Sequence, residues 1–468
     1  MDYRRGLTPY TASYPREPLK RERFALAVIA TPRPRLTRMS SRVFRRRSAT
    51  AAWIYAAVAL GIAGTIVAAR VLGREDFGVF ATALVVVGFF QILLDLTVEE
   101  SLTKYGFRYV AGQDWGRLRR LFRQALLLKV AGGALATIVV VALAPFSDEL
   151  FGSDGVETAL LAAALLPFVQ SSENVASTVL LLHSRYDLRG VYQAGTAALR
   201  LLAIVIAAPL GVTEALVAIV VAQGIATVAI SFVGLVALRR FPAAAARELG
   251  EDVPGIRSFV IESSIATGVI SLRTTLVPVV LGVASGTTQV GLFRIAQTPQ
   301  TGFAAASSPA RLVLMTEQTR DWEKGERTRI LSGIQRYTRW AGALMLVAVP
   351  VFFLAMPWLV DLVFGSEYDD AVTAARIVLL AAAIHFAIGW TKTLPVTIGR
   401  PRLRIVTHGL EALVAIPLVA ILGAEWGATG AAVAVLASTL VFAGAWLVVI
   451  LRLRDEVHAA RAEVSLQS

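Results

Sequence analysis

Cysteine is absent from the chain. It therefore forms no disulfide, offers no thiolate to a metal and holds no cysteine nucleophile. Histidine is scarce. His183, His385, His408 and His458 are the full set, and no two of them stand at metal-ligand spacing, so no metal site is expected. Charge is scarce too, at 17% of residues, and lysine especially so, with five against forty-one arginines. The polar–apolar alternation of an outer-membrane barrel is missing. Long external connections are also missing, which leaves no room for an extracytoplasmic catalytic domain.

What the chain does have is apolar length. Hydrophobic residues make up 56% of 468 positions, above the ~45–50% of globular domains, and the mean hydropathy is +0.64. Apolar runs of about 20 residues recur, each long enough for ~30 Å of hydrocarbon. In lipid every backbone amide must bond within its own segment, so these runs form helices. The sequence predicts an all-α polytopic membrane protein with about twelve spans. They fall near 49–72, 78–98, 121–144, 157–182, 191–210, 213–238, 258–283, 288–314, 336–357, 371–396, 403–423 and 427–451.

The formal net charge of +13 would suggest nucleic acid in a soluble protein, but here its placement follows membrane orientation. Thirty-eight of the 46 lysines and arginines fall in alternate connections and the termini, and the other connections carry only Arg70 and Arg74. Those other connections hold Asp148, Glu149, Asp154, Asp361, Glu367, Asp369 and Asp370 instead. The asymmetry predicts an even number of spans, both termini in the cytoplasm, and a multi-pass protein of the bacterial inner membrane with no nucleic-acid partner. The segments 99–123 and 311–339 are basic and are expected to lie along the anionic inner leaflet as amphipathic helices. Residues 1–48 are basic and aperiodic and are read as a disordered cytoplasmic tail. Met39, just before the first apolar run, is a second candidate start beside Met1.

The chain repeats itself. Gly73, Gly78, Phe80 and Ala83 match Gly286, Gly291, Phe293 and Ala296 at an offset of 213, and Phe151-Gly152-Ser153-Asp154 matches Phe364-Gly365-Ser366-Glu367 at the same offset. Arg185, Leu188, Arg189 and Val191 match Arg400, Leu403, Arg404 and Val406, and Gly211 matches Gly427. The expected organisation is a six-helix half over 49–238, a cytoplasmic linker over 239–257, a second six-helix half over 258–451 and a tail over 452–468. Six spans per half give both halves the same orientation, related by an axis along the membrane normal.

The segment Ala69-Arg-Val-Leu-Gly-Arg-Glu-Asp-Phe-Gly-Val-Phe-Ala resembles the first hairpin of the Wzx-like oligosaccharide flippases of polysaccharide export. Gln289-Val-Gly-Leu-Phe-Arg-Ile-Ala resembles its counterpart in their second half, and Leu362-Val-Phe-Gly-Ser-Glu-Tyr followed by Gly399-Arg-Pro-Arg-Leu resembles their C-terminal region. The resemblance spans about residues 48–451. It places the chain in the superfamily of the lipid II flippases and the MATE multidrug transporters, and implies a V-shaped cavity between the halves with alternating access. The two extra helices usual in lipid II flippases are not seen, and the N-terminal tail is longer than usual.

Charges inside the spans are the sharpest functional signal, because hydrocarbon penalises them by several kcal/mol unless they are paired or solvated. Lys129, Arg376 and Lys392 lie near span ends, where a long side chain can snorkel to the interface. Arg200 has Glu173 on the preceding span as a candidate partner. Arg273 and Arg294 lie within the seventh and eighth spans, and subtracting 213 places them on Leu60 and Ala81, so the repeated scaffold does not require them. Arg294 opens a stripe with Gln297, Thr298 and Thr301 at i+3, i+4 and i+7. Arg273 has Ser271 and Thr275 close by, and Glu262 eleven residues before it on the same face. Helix packing competes as the role of these hydroxyl side chains.

The expected function is therefore a flippase for a polyprenyl-diphosphate-linked oligosaccharide, with Arg273 and Arg294 binding the diphosphate, since guanidinium stays charged and binds phosphate bidentately. Gln297, Thr298, Thr301, Ser271 and Thr275 would line the cavity. No cofactor is expected beyond a coupling cation, a proton or sodium, with Glu262 and Asp95 as candidates. Expected partners are the lipid-linked glycan, membrane lipids, and the glycosyltransferases and polymerase of the same pathway. A lipid II or multidrug exporter, and a membrane-embedded glycosyltransferase or polymerase, are the alternatives. Central acidic residues would suit an exporter of cationic drugs, and here the central charges are basic.

Overall fold

The computed structural model describes residues 41–324, 326–400 and 402–467. Residues 1–40, which hold most of the expected tail and Met39, lie outside the described residues. The remainder of that segment is helical, because the first helix begins at Ser41.

Among the described residues every regular element is a helix. Eight helices are long and apolar enough to cross a membrane. Two of these are double. Gly73 (φ 78°, ψ 174°) divides the first into α1 (41–72) and α2 (74–94), and Gly427 (φ 55°, ψ −133°) divides the last. Between them come α3 (Glu99–Ala111), α4 (Trp115–Leu143), α5 (Val156–Ala163, Leu166–Gln170 and Glu173–Leu182), α6 (Tyr186–Ala207) and α7 (Val212–Arg239). The second half holds α8 (Asp252–Ser285), α9 (Thr287–Ala296, Thr298–Ala306 and Ser308–Glu323), α10 (Arg327–Phe364), α11 (Ala371–Ala387, continued to Thr397), α12 (402–426) and α13 (428–467). With α3 set aside as a short, less apolar helix, twelve remain among the described residues.

Prolines account for several breaks. Pro167, Pro299 and Pro309 each stand in the first turn of a new segment of α5 or α9, where the missing amide donor does no harm. Pro278 and Pro350 stay inside continuous helices.

The repeated glycines sit at equivalent turns. Gly73 and Gly286 have nearly the same backbone (φ 85°, ψ 171° at Gly286), and Gly152, Gly211, Gly365 and Gly427 also have positive φ. A side chain there would strain the backbone, so glycine recurs at each turn.

These turns gather at one end of the bundle, where the halves share one core. It includes Ala68, Phe77, Phe80, Phe151, Leu281, Phe293, Phe364, Tyr368 and Val435. Polar braces reinforce it. Tyr368 donates to the Ala69 carbonyl at 2.7 Å, and Arg70 donates to the carbonyls of Leu362 and Val363. Arg74 pairs with Asp370 at 2.7 Å. The two basic residues that break the charge pattern thus tie the halves together. Contact is close: a Cβ on Gly78 would lie 2.7 Å from the Thr287 carbonyl oxygen.

At the opposite end the apolar packing divides. One cluster, around Leu102, Leu118 and Val179, belongs mainly to the N-terminal half, and another, around Ile330, Leu394 and Trp446, belongs to the C-terminal half. The first turns of α8 lean on the N-terminal cluster. Arg108 and Tyr109 of α3 both donate to Asp252 at 2.9 Å, and Ser263 donates to Glu100 at 2.8 Å. Burial, then the Asp252 carboxylate, pushes the Tyr109 phenol above its ordinary range, which keeps it a donor. The basic 99–123 segment therefore includes a helix docked on protein.

Candidate functional site

A cavity of about 660 Å³ lies between the halves. α1, α2, α5, α6 and α7 supply most of its wall, and Thr274, Thr275 and Arg294 come from the second half. Gln170, Glu173, Gln193, Thr196, Arg200 and Gln223 make its polar surface. Arg200 does not meet Glu173 directly. Its Nε donates to Gln223 Oε1 at 2.9 Å, and Gln223 Nε2 donates to Glu173 Oε2 at 3.0 Å. The amide bridges the two charges, so the candidate pair exists as a relay. Arg200, for which the sequence favoured a structural pairing with Glu173, lines this cavity.

Arg294 is the contrasting cation. It is exposed to the cavity, although protein surrounds it on most sides. Among the described residues its side chain makes no hydrogen bond or ion pair. Burial leaves its guanidinium short of water without supplying a carboxylate, an arrangement that favours an anion. Arg294 also belongs to a smaller cavity of about 200 Å³, where Gln297, Thr298 and Thr301 join it opposite Gly61 and Thr65 of α1. The helical stripe is therefore brought to one wall.

Arg273 is placed elsewhere. It lines a separate cavity of about 240 Å³ within the C-terminal half, with His385, Lys392, Arg404 and His408. Its Nε reaches Glu411 Oε1 at 3.0 Å, and that carboxylate, 1% exposed, is also met at 3.1 Å by His385 Nε2 and His408 Nδ1. The shared grasp of one anion expected for Arg273 and Arg294 is thus not the arrangement here, because the two line different cavities. Glu262 does not serve Arg273 either. It is exposed and accepts from Ser258 at 3.0 Å. Eleven residues return to the same face, but about 16 Å up the axis at 1.5 Å per residue, whereas Glu411 on α12 lies at the right depth.

Thr275 lines the central cavity and its hydroxyl is bonded to the Ser271 carbonyl at 2.9 Å, while Ser271 lines none of these three cavities. Asp95 is half-buried and pairs with Lys129 at 2.6 Å, and Lys129 also meets Glu99 at 2.7 Å. Lys129, expected to snorkel, is instead 2% exposed and held by two carboxylates. Its depth near a span end was legible, but the protein facing it was not. Arg376 donates to the Phe353 carbonyl at 2.9 Å and stacks over that ring. The histidines, Lys392 and Arg404 were not recognised as a cluster. The available signal was that two of the four histidines lie in apolar spans.

The family signature of polysaccharide biosynthesis proteins matches residues 67–373. The chain belongs to that family. The match includes Arg200, Arg273 and Arg294 and ends before α12. An inner membrane protein of Escherichia coli, YghQ, is 27% identical over 289 residues, 58% of this chain and 78% of that protein. A multidrug resistance MATE family transporter of the MOP superfamily, in an inward-facing conformation, has a TM-score of 0.67 at 16% identity over 85% of this chain and 96% of that one. Lipid II flippase MurJ in an inward closed conformation has a TM-score of 0.67 at 13% identity over 86% of this chain and 87% of that one. These likenesses identify the fold. This member of the polysaccharide biosynthesis family is a multi-pass, all-α membrane protein with a MATE- and MurJ-like architecture.

Proposed function

We propose that the chain is a flippase that carries a polyprenyl-diphosphate-linked oligosaccharide from the cytoplasmic to the outer leaflet by alternating access. The carrying observation is Arg294, a guanidinium without a partner among the described residues, facing the cavity between the halves. With Arg200 and Glu173 on the other wall, the named charges of the cavity sum to a net positive value, which suits a diphosphate rather than a cationic drug. Polar side chains such as Gln193 and Thr196 offer partners to sugar hydroxyls. We read the chain as a transporter that works beside the glycosyltransferases and polymerase of a cell-surface glycan pathway. Both termini face the cytoplasm, so the glycine-turn end, closed by the shared core, faces outward.

Of the two carboxylates considered for proton or sodium coupling, Asp95 is the better placed. One oxygen is held by Lys129 and the other is buried without a partner, whereas Glu262 is exposed. The test of the reading is flipping of fluorescent lipid-linked oligosaccharide in proteoliposomes. Wild-type protein is expected to expose the glycan to an external lectin or reductant, and Arg294→Ala is expected not to. Equal rates for both proteins, or no transport by wild type, would sink the reading.

A further inference from the structure

The C-terminal half contains an imbalance that the central cavity does not explain. Its own cavity is lined by Arg273, Lys392 and Arg404 together with His385 and His408. Among the described residues Glu411 is the carboxylate that meets Arg273, His385 and His408, and it is already committed. Oε1 takes Arg273 and His385, and Oε2 takes His408. With both histidines neutral, Arg273 and Arg404 still face one carboxylate among the described residues. In surroundings of low dielectric an excess of positive charge is unfavourable unless an anion or ordered water answers it. Arg404 marks where the answer is missing. Its Nε is buried without a hydrogen-bond partner, and among the described residues its side chain forms no ion pair.

We propose that this cavity is a second anion site that takes a phosphoryl or diphosphoryl group. Its volume, about 240 Å³, is below the ~300–1,000 Å³ of pockets that enclose drug-sized ligands, so it admits a small charged group rather than a glycan. Arginine suits it because the guanidinium fork matches phosphate oxygens. Glu411 does not compete with the ligand. It holds Arg273 and orients both imidazoles, so the cluster is shaped before an anion arrives. Thr274 lines both this cavity and the central one. A phosphoryl group here is therefore next door to the space that Arg294 faces, and the two sites form successive stations for one anion. That last role rests on the flippase reading, whereas anion binding itself does not.

The experiment uses the full chain in nanodiscs, with inorganic pyrophosphate as the probe and calorimetric titration as the readout. Arg404→Gln is expected to weaken binding at this site by about ten-fold or more, the scale of one charge-assisted hydrogen bond, while Arg329→Gln, at an exposed pair away from the cavities, leaves it within about two-fold. Lys392→Gln is the second variant, should Arg404→Gln fail a thermal-melt check for folding. Polyprenyl diphosphate incorporated in the nanodisc identifies the source: competition with pyrophosphate assigns the site to the lipid-borne group, and lack of competition assigns it to free phosphate. Wild-type protein that binds no pyrophosphate would overturn the proposal, as would binding indifferent to both Arg404 and Lys392. Failure of the flippase reading looks different. Pyrophosphate would still bind through Arg404, but no lipid-linked glycan would cross.

Discussion

Arg273 and Arg294 lie on consecutive helices of the same half, yet they occupy opposite electrostatic situations. Arg273 is 12% exposed and sits on a carboxylate that two histidines also hold. Arg294 faces a cavity and has no partner among the described residues. Burial alone does not separate a structural cation from a ligand-binding one. What separates them is whether the protein supplies the counter-charge itself. Where it does, removal of either member strands the other in a medium that cannot solvate it. Where it does not, removal relieves an unfavourable charge and affects only what the charge was there to bind.

The contrast is broken most directly at Glu411. Glu411→Ala is expected to destabilise the protein by about 3–5 kcal/mol, the usual penalty for orphaning a buried charge, seen as a lower midpoint in thermal unfolding in detergent. Glu411→Met combined with Arg273→Met is expected to recover most of that loss. A double variant no more stable than the single one would show that the pair is not the organising interaction.

Next in size is Arg294→Ala. Transport is expected to fall at least about thirty-fold, corresponding to the lower end of the ~2–5 kcal/mol typical of truncating a buried charge contact, with unfolding unchanged or slightly raised. Arg294→Lys keeps the charge and loses the fork, so it should retain part of the activity. A marked fall in the melting midpoint of Arg294→Ala would place this arginine with Arg273.

These two residues also show how far the sequence could be read. The stripe of Arg294, Gln297, Thr298 and Thr301 was legible because helical periodicity is local. The repeated turns were legible because positive φ at Gly73, Gly152 and their counterparts admits little but glycine. The partner of Arg273 was not legible. Glu411 stands 138 positions away on another helix, and no local period links the two. Glu262 looked plausible only because periodicity reports direction and not depth. The partners of Lys129 were hidden for a similar reason: a position near a span end tells how far water is, not whether Asp95 and Glu99 lie across from it.

A smaller effect sharpens the comparison between the joined and divided ends of the bundle. Gly78→Ala places a Cβ 2.7 Å from the Thr287 carbonyl oxygen across the junction of the halves. It should reduce stability by about 1–3 kcal/mol, as overpacking does. Gly61→Ala, on α1 with no heavy atom within 4 Å of the new Cβ, should leave stability nearly unchanged. Equal melting midpoints for the two would mean that the junction yields as easily as open cavity wall. The smallest effect is expected from Arg329→Ala. Its pair with Glu326 is largely solvent-exposed, so salt and side-chain entropy leave at most about 1 kcal/mol.

The shared core at the glycine-turn end has an electrical consequence. Phe77, Phe151, Phe293 and Tyr368 are at most 1% exposed, and together with Leu281 and Val277 they make a dry layer across the junction. A cavity furnished with arginines would otherwise be a ready conduit for anions driven by the membrane potential. With this layer in place, water and small ions that reach Arg294 find no continuous wet path to the far side. The bilayer therefore keeps its resistance while the cavity stays polar.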